Sequence, residues 1–451
     1  MAIVALIGRP NVGKSSLFNR IIGMRRAIEA EEPGTTRDRL YEQITHKETT
    51  FTLVDVAGIA EAEGELEESI ADQITVVKDE ADLFLLVTDA QAGLLSEDQH
   101  VIDMVRPLGK PVVVLVNKAD SRQLVAEVEH QDAKGFIGPF ATSAIHNSGI
   151  ADVLDAVVKH IPHTKTGKSA GNTVSIALVG RPNVGKSTLL NQLAGEKRAV
   201  VSNVAGTTRD AVDITIPYKE LQFKFVDTAG IRRRGKIETG IEQFSVLRTI
   251  RAIEDADIVI LMIDATDGPA AGDAHIAGIA LDLHKGLVLA VNKWDIREKI
   301  KIKNLKLKIR GADENEDTDE GAQRQFLSKL QDQLSFALWA PAVFISALDG
   351  LNTKKLLEVA WRVVHTRAKV LDQETLGAIK QAAEARHPHL PKIYSFEQLG
   401  TNPPTFAVVI NRPETWHFSF SRFIENLIRE AEAYNGTSIK IELKAYSKSQ
   451  K

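Results

Sequence analysis

Two segments of this chain share an eight-residue run whose chemistry can be read from its residue types. Gly8-Arg9-Pro10-Asn11-Val12-Gly13-Lys14-Ser15 recurs letter for letter as Gly180-Arg181-Pro182-Asn183-Val184-Gly185-Lys186-Ser187. Each run follows a short β-rich apolar stretch and opens a helical one. In that setting a glycine-rich loop wraps a polyphosphate. The glycines let successive backbone N–H groups turn toward a β-phosphate, and the N-terminus of the following helix adds its own donors. Lys14 and Lys186 have the reach for the β- and γ-phosphates and are expected to serve catalysis there. Ser15 and Ser187 offer hydroxyls to Mg²⁺.

A phosphate loop does not choose between adenine and guanine. Asn117-Lys118-Ala119-Asp120 and Asn292-Lys293-Trp294-Asp295 do. Asp120 and Asp295 can each accept from the N1–H and the exocyclic amine of guanine. Adenine offers neither donor there, so it would leave the carboxylate unpaired. Asn117 and Asn292 are expected on the other edge of the base, with the stems of Lys118 and Lys293 over the ring. Ser143-Ala144 and Ser346-Ala347 supply backbone N–H to the guanine carbonyl. The ligand expected at both sites is GTP or GDP.

Between these motifs lie two further repeats. Gly34-Thr-Thr-Arg-Asp38 recurs at Gly206–Asp210, and Asp55-Val56-Ala57-Gly58 returns as Asp227-Thr228-Ala229-Gly230. Thr36 and Thr208 are placed to close on Mg²⁺ and the γ-phosphate as a first switch. Asp55 and Asp227 end strands and would hold Mg²⁺ through water. Gly58 and Gly230 would donate backbone N–H to the γ-phosphate in a second switch. Ile59 and Ile231 follow, where Ras-like GTPases carry the glutamine that orients the attacking water. Isoleucine cannot do this, so slow hydrolysis is expected unless another group stabilises the developing charge. Asn11 and Asn183 could hold K⁺ against the phosphates for that purpose. The alternative is that they only stabilise the loop turn.

The elements that must position these residues repeat as well. The first three motifs recur 172 positions on and the Asn-Lys-x-Asp motif 175 positions on, which is the mark of a duplicated domain. Strands are expected at 3–7, 51–55, 83–88, 112–117 and 139–143, and again at 174–179, 222–227, 258–264, 288–292 and 342–346. Continuous apolar strands alternating with amphipathic helices predict a mostly parallel α/β sheet with helices on both faces. The expected domains are 1–162, a polar linker over 163–172, 173–364 and 365–451. Gly167-Lys168-Ser169 in the linker mimics a phosphate loop. Pro162 stands where its first glycine must be, so it is rejected. A charged insertion over about 298–323, basic at Lys299–Arg310 and acidic at Asp313–Glu320, reads as a solvated segment.

Composition sets outer limits. The 451 residues are 43% apolar and 26% charged, with a net charge of −4 and no cysteine. Several domains are expected from that length. Disulfides and thiolate metal sites are excluded, and a cytoplasmic monomer without membrane or DNA partners is expected.

The tandem Gly-Arg-Pro-Asn-Val-Gly-Lys-Ser and Gly-Thr-Thr-Arg-Asp motifs resemble those of the bacterial Der (EngA) GTPases, and the resemblance covers essentially the whole chain. It implies a role in assembling the large ribosomal subunit with contact to rRNA. It also implies K⁺-stimulated GTP hydrolysis and a KH-like C-terminal domain. Val56 departs from the family's Asp-Thr-x-Gly, which puts switching in the first domain in question.

Past His365 the repeat ends. Helices are expected at 371–386 and 419–434 and strands at 405–411 and 438–445, with a turn at Asn402-Pro-Pro404. No Gly-x-x-Gly clamp is present. Residues 365–451 carry 12 Lys and Arg against 9 Asp and Glu. Lys392, Arg412, Arg422, Arg429, Lys440, Lys444 and Lys448 could form a phosphate-contacting patch or simply a solvated surface. The aromatic group Trp416, Phe418, Phe420 and Phe423 reads as core. The two second-switch segments differ in sign, with Glu61, Glu63, Glu65, Glu67 and Glu68 in the first and Arg232, Arg233, Arg234 and Lys236 in the second. Two readings stay open beside a switch on ribosomal RNA. One is a GTPase regulating a protein partner or tRNA-modifying enzyme, and the other is a non-hydrolysing scaffold.

Overall fold

The computed structural model describes residues 2–26, 41–47, 49–56, 74–75, 77–162, 172–195, 200–202, 213–227, 246–296, 319–386, 391–411, 416 and 418–446. The chain divides into two compact units, residues 1–166 with 245–248, and 167–244 with 249–451.

In the first unit the strands are β1 (Ala2–Ile7), β2 (Tyr41–His46), β3 (Thr49–Asp55), β4 (Leu83–Asp89), β5 (Val112–Asn117) and β6 (Ile137–Ala141). The helices are α1 (Lys14–Arg26), α2 (Ser96–Val105), α3 (Arg122–Glu129) and α4 (Ile150–His160). The sheet runs β2-β3-β1-β4-β5-β6, parallel except for the β2–β3 pair. Every residue of β1, β4 and β5 is buried, because these central strands are covered on both faces. Leu17, Phe18, Ile21 and Ile22 of α1 and Val153, Leu154 and Val157 of α4 close one face.

The second unit repeats the plan with β7 (Thr173–Val179), α5 (Lys186–Gly195), β8 (Val200–Ser202), β9 (Asp213–Tyr218), β10 (Leu221–Val226), α6 (Val246–Glu254), β11 (Ile258–Asp264), α7 (Ala271–Asp282), β12 (Gly286–Asn292), α8 (Asp319–Gln333), β13 (Ala342–Phe344) and α9 (Thr353–Arg367). Its seven-stranded order is β13-β12-β11-β7-β10-β9-β8. Register matters more than order here. Leu6 lies opposite Asp55, Asp89 opposite Asn117, and Asp264 opposite Asn292. The carboxyl ends of the parallel strands therefore deliver phosphate-loop, acidic and base-reading residues to one edge, where open α/β sheets bind ligands.

Sequence reading missed β2, β8 and β9. In β2 only Ile44 is buried, so an edge strand of this kind leaves little apolar pattern. The strand expected at 139–143 begins earlier, at Ile137.

The rest of the second unit is α10 (Gln373–Arg386), β14 (Ile393–Gly400), β15 (Thr405–Ile410), α11 (Phe418–Ala431) and β16 (Lys440–Ala445). β15 pairs antiparallel with β14 and parallel with β16. Trp416, Phe406 and Tyr434 are buried with Ile424 and Ile428, and Phe420 and Phe423 pack against them, so Trp416, Phe420 and Phe423 belong to the core as expected, while the Phe418 side chain lies outside what is described. β14 was missed because half its residues stay partly exposed on an edge.

This small domain is bonded backbone to backbone onto the second GTPase fold, at β12, at the C-terminus of α9 and at Trp339. Leu287 N–H donates to Gly436 O at 2.8 Å, Gly436 N–H to Trp339 O at 2.8 Å, and Asn402 N–H to Arg367 O at 3.2 Å. The Arg367 guanidinium, 4% exposed, donates to Thr437 Oγ1 at 3.0 Å and His284 O at 3.1 Å. Its burial lowers its pKa to about 10, with Asp257 opposing the shift.

Candidate functional site

Both phosphate loops are shaped alike. Asn11 and Asn183 sit at φ 65° and 61°, in the left-handed region that asparagine tolerates better than other side-chain-bearing residues. Their side chains are exposed. Lys14 donates to Gly8 O at 2.8 Å and Arg9 O at 3.0 Å, and Lys186 to Gly180 O at 2.6 Å and Arg181 O at 2.7 Å. Each ammonium thus sits over its own loop. Pro10 is exposed at the loop tip, Pro182 is half-buried, and Val12 and Val184 anchor the loops in the cores.

Each loop is tied directly to the base-reading motif. The buried Asn117 amide donates from Nδ2 to Val12 O at 2.9 Å, and its Oδ1 accepts from Ala144 N–H at 3.3 Å. Asn292 repeats this with Val184 O at 2.7 Å and Ala347 N–H at 2.8 Å. One asparagine therefore joins three loops, and its amide nitrogen still carries a second hydrogen to donate. This contact explains the loop's second glycine. A Cβ on Gly13 would lie 2.4 Å from Asn117 Nδ2, and one on Gly185 2.3 Å from Asn292 Nδ2.

The lysine of each motif is held in the same way. Lys118 donates to Asn11 O at 2.8 Å and Asp89 Oδ2 at 2.7 Å, while Lys293 lies 2.5 Å from Asp264 Oδ2. Burial alone would raise the pKa of both aspartates. The lysine hydrogen bonds, with further N–H and hydroxyl donors, overcome this and hold them below the ordinary carboxylate value. Asp120 and Asp295 are exposed at the ends of their motifs, beside the buried Ala119 and Trp294. In the first site Ser143 Oγ donates to Asp120 Oδ1 at 2.6 Å.

For a divalent cation the first site offers Ser15 Oγ, 2.8 Å from Asp55 Oδ2. A hydroxyl and a buried carboxylate this close form an oxygen donor pair of the kind Mg²⁺ takes beside a polyphosphate. Ser187 is the second residue of α5, and Asp227 follows β10 with φ 52°. Val56 is buried. Thr36, Ala57, Gly58, Ile59, Thr208, Thr228, Ala229, Gly230 and Ile231 lie outside the described residues, as do the acidic and basic second-switch segments and the expected insertion as far as residue 318, whose remaining residues, 319–323, begin α8.

Sequence reading missed three sets of supporting residues. Asp89 and Asp264 hold the lysines. Asp98 and Asp273, both wholly buried, take Arg9 Nε at 3.3 Å and Arg181 Nε at 3.1 Å, fastening each phosphate loop to α2 or α7. Burial raises the Asp273 pKa against the pull of Arg181. Arg20 of α1 donates from Nε to Ala144 O at 2.7 Å and from Nη2 to Ile145 O at 3.2 Å. The first two sets repeat at the 175-residue offset of the Asn-Lys-x-Asp motif, which was the signal available for them.

Two mostly parallel sheets, each presenting a Gly-x-x-x-x-Gly-Lys-Ser loop cross-bonded to an Asn-Lys-x-Asp motif, define a tandem P-loop GTPase. Residues 3–118 and 175–293 match the family described as 50S ribosome-binding GTPase. Residues 373–444 match the KH-domain-like C-terminal region of EngA bacterial GTPase enzymes. The chain is 40% identical over 463 residues to GTPase Der of Herpetosiphon aurantiacus, covering 99% of this chain and 97% of that protein. It is 41% identical over 452 residues to GTPase Der of Thermomicrobium roseum, covering 97% and 95%. The chain belongs to the Der (EngA) family and is an enzyme that hydrolyses GTP.

No described helix is long and apolar enough to cross a membrane. In the C-terminal domain, Arg429 bonds Glu425 and Thr437 O, and Lys440 bonds Glu442. Of the basic residues expected as a patch, Lys392, Arg422 and Lys444 are exposed, and Arg412 and Lys448 lie outside the described residues.

Proposed function

We propose that the chain is a cytoplasmic, Mg²⁺-dependent and K⁺-stimulated GTPase switch in assembly of the large ribosomal subunit, with its C-terminal domain contacting rRNA. The observation that carries this reading is the twofold cross-bonding of phosphate loop to base-reading motif, through Asn117 and Asn292, in a chain whose matched family is described as ribosome-binding.

In the proposed mechanism Asp120 and Asp295 accept the two guanine donors, and Asn117, Lys118, Asn292 and Lys293 frame the base. Lys14 and Lys186 swing from their loop carbonyls onto the β- and γ-oxygens, where charge grows in the loose transition state. Ser15, Thr36 and Asp55, with Ser187, Thr208 and Asp227, would hold Mg²⁺, which neutralises the phosphate oxygens when bound. Asn11 and Asn183 would hold K⁺, which would supply positive charge against the phosphates in place of the glutamine that Ile59 and Ile231 cannot replace. Gly58 and Gly230 would donate backbone N–H to the γ-phosphate.

The test is co-sedimentation of the full chain with ribosomal subunits in a non-hydrolysable GTP analogue against GDP, paired with phosphate release in K⁺ against Na⁺. Nucleotide-dependent association with large subunits and faster turnover in K⁺ are expected. Equal sedimentation in both nucleotides would remove the ribosomal part of the proposal, and equal turnover would remove K⁺.

A further inference from the structure

The two sites differ at the serine that supports the guanine-reading carboxylate. In the first, Ser143 Oγ donates to Asp120 Oδ1 at 2.6 Å and accepts from His146 N–H at 3.1 Å. In the second, Ser346 Oγ donates to Asp349 Oδ2 at 3.1 Å and accepts from Asp349 N–H at 3.2 Å. Asp349 stands three residues after its serine, where the first site has His146. A hydroxyl has one proton to give. Asp349 receives it, and Asp295 takes no hydrogen bond from Ser346 among the described residues.

We propose that Asp349 makes the second site the weaker and faster-exchanging guanine site, by taking from Asp295 the hydroxyl proton that Asp120 receives in the first site. The inference rests on the reading that Asp120 and Asp295 recognise guanine.

Three steps connect the geometry to exchange. Asp120 is held in one orientation before nucleotide arrives, so little side-chain freedom is lost on binding. Asp295 is exposed and must be ordered by the base itself, or must first draw Ser346 away from Asp349. Asp349 also brings a second negative charge to the same hydroxyl, which disfavours Asp295 turning toward it. The difference falls on the two base donors that the carboxylate reads, so it weakens discrimination for the exocyclic amine as well as affinity. The first site would then keep its nucleotide while the second reports the cellular GTP to GDP ratio.

The full chain allows each site to be read alone. Asp120→Asn removes guanine recognition from the first site, because an amide cannot accept from both base donors, and leaves the second as the sole guanine site. In that background, dissociation of a fluorescent GDP analogue is followed with and without Asp349→His. GDP is also compared with inosine diphosphate, which lacks the exocyclic amine. Asp349→His should slow GDP release about fivefold, the size of one modest hydrogen bond. It should also widen the preference for GDP over inosine diphosphate. Asp349→Ala should act in the same direction, which separates loss of the competing acceptor from any effect of the imidazole. Both effects should vanish when Ser346→Ala is added, since the hydroxyl carries them. Unchanged release in Asp349→His and Asp349→Ala, or a slowing that persists without the Ser346 hydroxyl, would overturn the proposal. Failure of the underlying guanine reading shows differently: Asp295→Asn would then fail to move the second site's preference from GDP to xanthosine diphosphate.

Discussion

Replacing Arg367 with methionine should loosen the C-terminal domain from the second GTPase fold without unfolding either. The guanidinium donates to Thr437 Oγ1 and His284 O, and both bonds are sheltered from water. Two hydrogen bonds from a charged group are worth about 1.5–3 kcal/mol each. Against this, a buried guanidinium carries a desolvation penalty that methionine, similar in length and apolar, would relieve. Thr437 Oγ1 keeps its bond to Ser438 O. The net loss is therefore nearer one bond than two, about 2 kcal/mol. Three amides cross the junction, on Leu287, Asn402 and Gly436, and their exchange reports its local opening. A loss of that size corresponds to about a thirtyfold rise in their exchange rate. Hydrogen–deuterium exchange by mass spectrometry measures it, with the amides of β1 and β3 in the other unit as an unperturbed reference. If the three amides exchange as slowly in Arg367→Met as in the parent, the guanidinium does not hold the junction.

Three further outcomes follow from the geometry. Gly436→Ala should open the same junction, because φ is 81° there and the new Cβ would fall 2.2 Å from Val363 Cγ2; limited proteolysis between α9 and α10 should accelerate, and an unchanged cleavage rate would refute the clash. His275 in α7 is pushed by burial below its ordinary value of 6.5, so the unfolded chain takes up a proton that the folded chain resists; its contribution is fully present above pH 6.5 and is lost as pH falls below it. The melting temperature of the second unit should therefore drop on that acid side, and His275→Gln should flatten the slope. Asp120→Asn should cut guanine nucleotide stoichiometry from two per chain to one, which equilibrium dialysis would count; retention of two would mean that Asp120 does not read the base.

The nucleotide sites were legible because their chemistry needs particular residues at short spacings. Gly13, Lys14 and Ser15 must be consecutive to wrap a phosphate, and Asn117, Lys118 and Asp120 must share one strand end. A duplicated pattern repeated those local constraints and made them hard to mistake. The edge strands β2 and β14 were not legible. β2 and β14 bury too few side chains to impose alternation, and their existence depends on a neighbour's unpaired backbone.

The sequence alone therefore determined the fold class, both phosphate loops and the preference for guanine, since each follows from residue type and local order. Tertiary structure decided what stands behind them. Asp89, Asp98, Asp264 and Asp273 look like ordinary surface acids in one dimension and become loop anchors only where strand register brings Asp89 and Asp264 to Lys118 and Lys293, and the packing of α2 and α7 brings Asp98 and Asp273 to Arg9 and Arg181. Whether Ser346 serves Asp295 or Asp349 is settled by which acceptor the fold brings to its one proton. The seating of the C-terminal domain on Arg367 and Gly436 depends on groups about 35 to 150 residues apart, at a separation where residue spacing carries no signal.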